Sequence, residues 1–139
     1  VKLFYNTLDV IDANEGAVIT SYDTIRQYEI ELKAQEGGLI KTAIDTKEII
    51  MKAVTGGVID VSGITQHQNI AISTGGVVKA ATLKSKNTDI LITTGGEAFV
   101  NSTESLDIKI RAGGDVFIYG KPKKVTKNKV LGGRIKYMD

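Results

Sequence analysis

The 139-residue chain contains no cysteine, no tryptophan, a single proline and a single histidine. Without cysteine there are no disulfides and no thiolate chemistry, and His67 alone cannot assemble a zinc site, so no metal centre is expected. Serine-histidine-aspartate catalysis would have to run through that same His67, yet no serine sits in a G-x-S-x-G elbow. Nor is there an uninterrupted apolar run of roughly 18 residues, the length a membrane-spanning helix needs. A hydrophobic fraction of 42% is too high for a disordered tail. Net charge is only +2, and no nucleic-acid motif or set of stacking aromatics accompanies the cations. At this length a core burying about two thirds of the unfolded surface forms without staples, so residues 1–139 are expected to make one domain.

What the chain has in excess is glycine, 15 residues without the proline or serine of a linker. Twelve fall in doublets, Gly37-Gly38, Gly56-Gly57, Gly75-Gly76, Gly95-Gly96, Gly113-Gly114 and Gly132-Gly133, whose successive steps are 19, 19, 20, 18 and 19 residues. A Glu15-Gly16 pair reads as a degenerate earlier member, and Gly63 and Gly120 are expected to end the strands that follow two of the doublets. Two and four residues beyond the doublets, eleven of the twelve side chains are apolar or aromatic, as in Ile59 and Val61 or Val116 and Ile118, Thr42 being the exception, with mixed residues between them. Five and three residues ahead the same alternation holds, as in Ile70 and Ile72 or Ile108 and Ile110, until Lys127 and Lys129 break it. A period of two with one dry face is a half-buried strand. About 19 residues per repeat leave no room for a helical crossover, so the strands must stack as coils, each adding about 4.8 Å. The expectation is an all-β fold, a single-stranded parallel β-helix of six to seven coils. Spacings that vary from 18 to 20 lack the strict six-residue subperiod of left-handed hexapeptide helices and favour a right-handed one. Residues 1–36 are expected to be irregular first coils, 37–120 the regular repeats and 121–139 a basic last coil.

The runs VTGGVIDVSG, ISTGGVVKAATL, ITTGGEAFVNSTESLDIKIRAGGDVFIYGKP and VLGGRIKYMD, over about residues 14–139, resemble the family described as "putative auto-transporter adhesin, head GIN domain". That family repeats a Ser-Gly-Gly-like corner and closes on a G-x-P segment, here Gly120-Lys121-Pro122. Thr55, Thr74, Thr94 and Ala112 precede doublets where relatives often carry serine or alanine. The resemblance implies a right-handed β-helix from a bacterial envelope or secreted protein. It further implies that the chain corresponds to the C-terminal part of a longer precursor, whose signal sequence lies outside the present residues. It supplies no catalytic residues and no cofactor.

Two side-chain columns stand out as candidate sites. Asn69, Asp89 and Asp107 each lie six residues ahead of a doublet and should stack on successive coils. Paired carboxylates about 5 Å apart suit a retaining glycosidase, so a polysaccharide-degrading enzyme using Asp89 and Asp107 is one reading. The plainer reading is that Asp and Asn open strands after turns. Phe99 and Phe117 fall on the outward face of adjacent coils, flanked by Lys79 and Lys136, as a ligand platform or an oligomer contact. Glu97, Asp115 and Arg134 should form an ion ladder on the surface. The cations from Lys121 to Lys136 read as a blunt, charged end to the solenoid. The leading functional expectation is a non-enzymatic, adhesin-like domain that binds a surface glycan or an envelope protein. Second to it stand the enzyme and a structural spacer that forms homo-oligomers through a solenoid face or end.

Overall fold

The computed structural model describes residues 9–21 and 23–138, which wind into a parallel β-solenoid of about seven turns. Strands ahead of the glycine corners form one flank: β1 (Asp9–Ala13), β4 (Glu29–Gln35), β6 (Glu48–Val54), β8 (His67–Ser73), the second halves of β9 (Val77–Ile92) and β10 (Glu97–Ala112), and β12 (Lys124–Leu131). Strands behind the corners form the other: β2 (Val18–Thr20) and β3 (Ile25–Arg26), β5 (Leu39–Asp45), β7 (Val58–Ile64), the first halves of β9 and β10, β11 (Asp115–Tyr119) and β13 (Arg134–Tyr137). Among the described residues the strand pairings are all parallel and no helix occurs. Register between β4 and β6 runs unbroken from Glu29 to Gln35, ahead of the first doublet.

The corners come in two forms. At Glu36, Thr55 and Thr74 the residue before the doublet is itself left-handed, as is the first glycine, and the second glycine N–H closes a tight turn, for example onto the Val54 carbonyl at 3.0 Å. Glu15-Gly16 adopts the same two-residue left-handed turn. Two consecutive positive φ values are the dihedrals of a type I′ turn, which here joins strands of different flanks rather than a hairpin. The second glycine is there for space: a Cβ on Gly57 would overlap the carbonyl of Ala34, one coil below. From Gly95 onward both glycines have positive φ, and the second sits over an isoleucine, Ile72 beneath Gly96, Ile92 beneath Gly114 and Ile110 beneath Gly133. Where the residue below is Ala13, Ala34 or Ala53 the corner closes tightly; where it is isoleucine, Cγ2 fills that space and the corner opens. Gly63, expected to end a strand, lies inside β7 in register with Ile44 and Leu83, and only glycine clears the Ile44 carbonyl. Gly120 directly follows β11.

Inward side chains stack like on like. Leu32, Met51, Ile70, Ile90 and Ile108 make one buried column, and Ala34, Ala53, Ile72, Ile92 and Ile110 a second. A third column, seven residues ahead of the doublets, turns polar midway: Ile30 and Ile49 are followed by Gln68 and Thr88, then Leu106. Gln68 is fully buried and its Nε2 donates to Ser85 Oγ and Thr88 Oγ1, both at 3.0 Å. Opposite the glycine corner a second corner is lined by small polar residues. Thr46 and Thr65 hydroxyls meet at 3.1 Å, Ser85 donates to the Asn101 carbonyl at 2.9 Å, and Ser102 Oγ lies 2.9 Å from the Lys86 carbonyl. Hydroxyls satisfy backbone there because the chain leaves ladder geometry while still buried. Within the described strands, register slips fall on this side, between Asp60 and Ser62, Phe99 and Asn101, and Ser102 and Ser105.

In the last coil the inward columns change chemistry. Lys127 and Lys129 pair with Ile108 and Ile110, and Tyr137 with Ile118. The Lys127 ammonium sits 4.9 Å from the Tyr137 ring centroid, a cation-π contact between residues of both flanks. Val130 and Leu131 stand 67% exposed beside it.

Candidate functional site

Asn69, Asp89 and Asp107 are register partners on β8, β9 and β10, each about 4.8 Å from the next. They open a shallow depression of about 300 Å³ on the outer face of the flank ahead of the glycine corners. Its floor is aliphatic, made by Ala71 and Leu91, with Ile50 at the foot of the Asn69 column and Lys109 at the margin. The depression arises because the outward positions of the next column read Lys52, Ala71, Leu91 and Lys109, so the short Ala71 leaves a gap between two long neighbours. A second depression of about 120 Å³ continues from it toward Lys52 and Val54, sharing Ala71 and Leu91 and edged by Ser73 and Thr93. Lys52 is engaged by Glu31 at 3.7 Å.

His67 belongs to this site, which sequence reasoning missed. It begins β8, and its Nε2 lies 2.7 Å from Asp89 Oδ2. In register His67 pairs with Asn87, so Asp89 is its diagonal neighbour two residues on, a relation readable only once the coil register is known. Asn87 in turn accepts a hydrogen bond from Ser105 at 2.7 Å. Asp89 is therefore held from one side while remaining about half exposed, its side chain at 52%.

On the opposite flank Phe99 and Phe117 are register partners with ring centroids 4.6 Å apart and planes 11° from parallel. Lys79 and Lys136 are the next residues along the column. The rings use their faces on each other and turn edges outward, a ladder along the solenoid axis. Beside it Glu97, Asp115 and Arg134 stack in register, and Arg134 donates to both Asp115 oxygens, at 3.1 and 3.4 Å. Those hydrogen bonds first, and the Asp115 charge second, raise the guanidinium pKa further, keeping it charged at any ordinary pH. Among the described residues no group of three or more His, Cys, Asp or Glu is placed to hold a metal ion.

A solenoid with glycine corners at this step can be compared with known proteins. The family model "putative auto-transporter adhesin, head GIN domain" matches residues 1–122. The chain belongs to that family. The match starts ahead of Asn14, where the sequence resemblance began, and stops at Pro122, so the coil holding β12 and β13 lies outside it. A crystal structure titled a putative adhesin, from Bacteroides fragilis NCTC 9343, superposes with a TM-score of 0.81 at 17% identity. The alignment covers 87% of this chain and 56% of that one, so the chain spans little more than half the length of that adhesin. No curated protein matches the sequence. No helix among the described residues is long and apolar enough to cross a membrane.

Proposed function

We propose that the chain is a non-enzymatic, exported domain of the bacterial envelope that binds a surface partner through the outer face ahead of the glycine corners. One observation carries the reading: this is the face where charged outward columns give way to an aliphatic floor, Ala71 and Leu91, edged on one side by the column Ile50, Asn69, Asp89 and Asp107. An apolar floor with a few convergent polar groups is the usual make-up of a recognition site. Membership of an adhesin family agrees with binding as the task.

The carboxylate pair serves recognition better than hydrolysis. A glycosidase needs one carboxyl kept protonated as general acid and a site that sheds water around the scissile bond. Asp89 is occupied by His67, and the depression is open along its length. The facing phenylalanines are assigned to holding two coils together, with Lys79 and Lys136 at either end of their column.

Labelled protein applied to intact cells and isolated envelopes tests the assignment. Ala71→Leu and Leu91→Arg, both at outward positions, should each abolish retention, whereas Phe99→Ser combined with Phe117→Ser should leave it intact. The opposite pattern moves the binding face to the aromatic ladder. Release of reducing ends from a polysaccharide panel, lost on joint Asp89→Asn and Asp107→Asn substitution, would replace the binding reading by the enzymatic one. Exclusive recovery of the native protein from the cytosol would remove the envelope assignment.

A further inference from the structure

We infer that the two depressions form one groove for a neutral, hydroxyl-rich glycan chain, laid along the solenoid axis with about one sugar ring per coil. The inference rests on the binding face proposed above and names its ligand class. Both depressions share Ala71 and Leu91, so the floor is continuous from Lys109 on β10, across β9 and β8, to Lys52 on β6. A pyranose ring has aliphatic C–H faces and a girdle of hydroxyls. A floor one side chain wide takes the faces, and short side chains with little entropy to lose, Asn69, Asp89 and Asp107 on one edge and Ser73 and Thr93 on the other, take the girdle. Ionised carboxylates only accept hydrogen bonds, so the acidic edge complements a ligand that brings many O–H donors and opposes one that brings anions.

Repetition sets the direction of the ligand. Asn69, Asp89 and Asp107 present one planar oxygen-bearing group per coil, at a step of about 4.8 Å. A polymer with one hydroxyl pattern per residue can use that repeat several times, whereas a folded protein surface has no matching period. His67 acts as a positioning residue, since it fixes the Asp89 carboxylate through Oδ2.

Titration of the isotope-labelled chain with neutral gluco-, manno- and N-acetylglucosamine oligosaccharides of increasing length, followed by backbone amide shifts, tests this. Shifts should cluster at Ala71, Asp89 and Leu91, and affinity should rise about tenfold or more from one ring to three and then level off. Leu91→Arg and Ala71→Leu should each cost roughly tenfold or more, and Lys41→Ala, on the other flank, should cost nothing. Asp107→Asn keeps the shape of the edge and should weaken neutral chains while admitting oligogalacturonate. If oligogalacturonate or a basic peptide shifts these amides in the wild type and neutral sugars do not, the ligand class is wrong and the face stands. If neither glycans nor the peptide shift them, the face falls as well. Saturation by a single ring overturns the axial placement.

Discussion

At the residue scale the two glycines of a corner do different jobs. Gly56 needs a left-handed backbone in open space, whereas Gly57 needs the absence of a side chain against the Ala34 carbonyl. Gly56→Ala should therefore cost about 1–2 kcal/mol of backbone strain, and Gly57→Ala clearly more, because a backbone carbonyl cannot rotate aside. Denaturant midpoints of the two variants check the order, and equal losses would contradict it. The doublets were legible from their spacing; which member is crowded was not, since crowding depends on the residue one coil below. Gln68 is a second residue the pattern did not reveal. It occupies an inward column that runs Ile30, Ile49, Gln68, Thr88 and Leu106, and its Oε1 is buried without a hydrogen-bond partner. Removing the amide while the Ser85 and Thr88 hydroxyls keep their own contact at 2.8 Å should be tolerated. Gln68→Met is expected to leave the melting temperature unchanged or raise it, since a buried unsatisfied oxygen costs about 1–3 kcal/mol.

At the scale of elements, alternation along the strands was readable because period two survives in each repeat, and Phe99 and Phe117 fall in register as that period requires. His67 was not placed, because its segment, TQHQN, carries no apolar alternation, and pairing with β6 and β9 rather than local propensity makes it strand. The two corner forms follow from the alanine and isoleucine column. Ile72→Ala should let the Gly95 corner close like those above Ala34 and Ala53, bringing Thr94 to positive φ, while the lost side chain costs about 2–5 kcal/mol. A high-resolution structure of the variant decides whether the corner switches or merely leaves a void. The aromatic ladder is worth less: Phe99→Ala should lose about 0.5–1.5 kcal/mol from the ring pair beyond the burial it forfeits, measurable by a double-mutant cycle with Phe117→Ala.

At the scale of the whole molecule, each coil touches only its neighbours, so stability approximates a sum of coil and interface terms. Hydrogen exchange should be slowest at Ile70, Ile90 and Ile108, and fastest in β12, whose side chains are nearly all exposed; uniform protection would refute this nearest-neighbour picture. Lys127 and Lys129 place charge where isoleucine would extend the apolar columns. Their joint replacement by isoleucine should drive concentration-dependent association of the chain, visible by analytical ultracentrifugation. The sequence showed this break in the pattern, but not that Lys127 would meet Tyr137 from the other flank, a contact set by the closing of the coil. The proposed groove was half legible: the spacing of Asn69, Asp89 and Asp107 predicted its acidic edge, while its floor depends on Ala71 being short beside Leu91. The asymmetry between the two corners reaches furthest. Glycine corners repeat in step, and from β5 onward the changes in coil length are absorbed at or near the hydroxyl-lined corner, within residues 79–87 and 99–105. Added residues at that corner would leave the stack above and below undisturbed. The molecule is thus built like a hinged binding, one spine fixed and the other edge free to take inserts, and foreign loops grafted near Lys86 or Thr103 should be displayed without loss of fold.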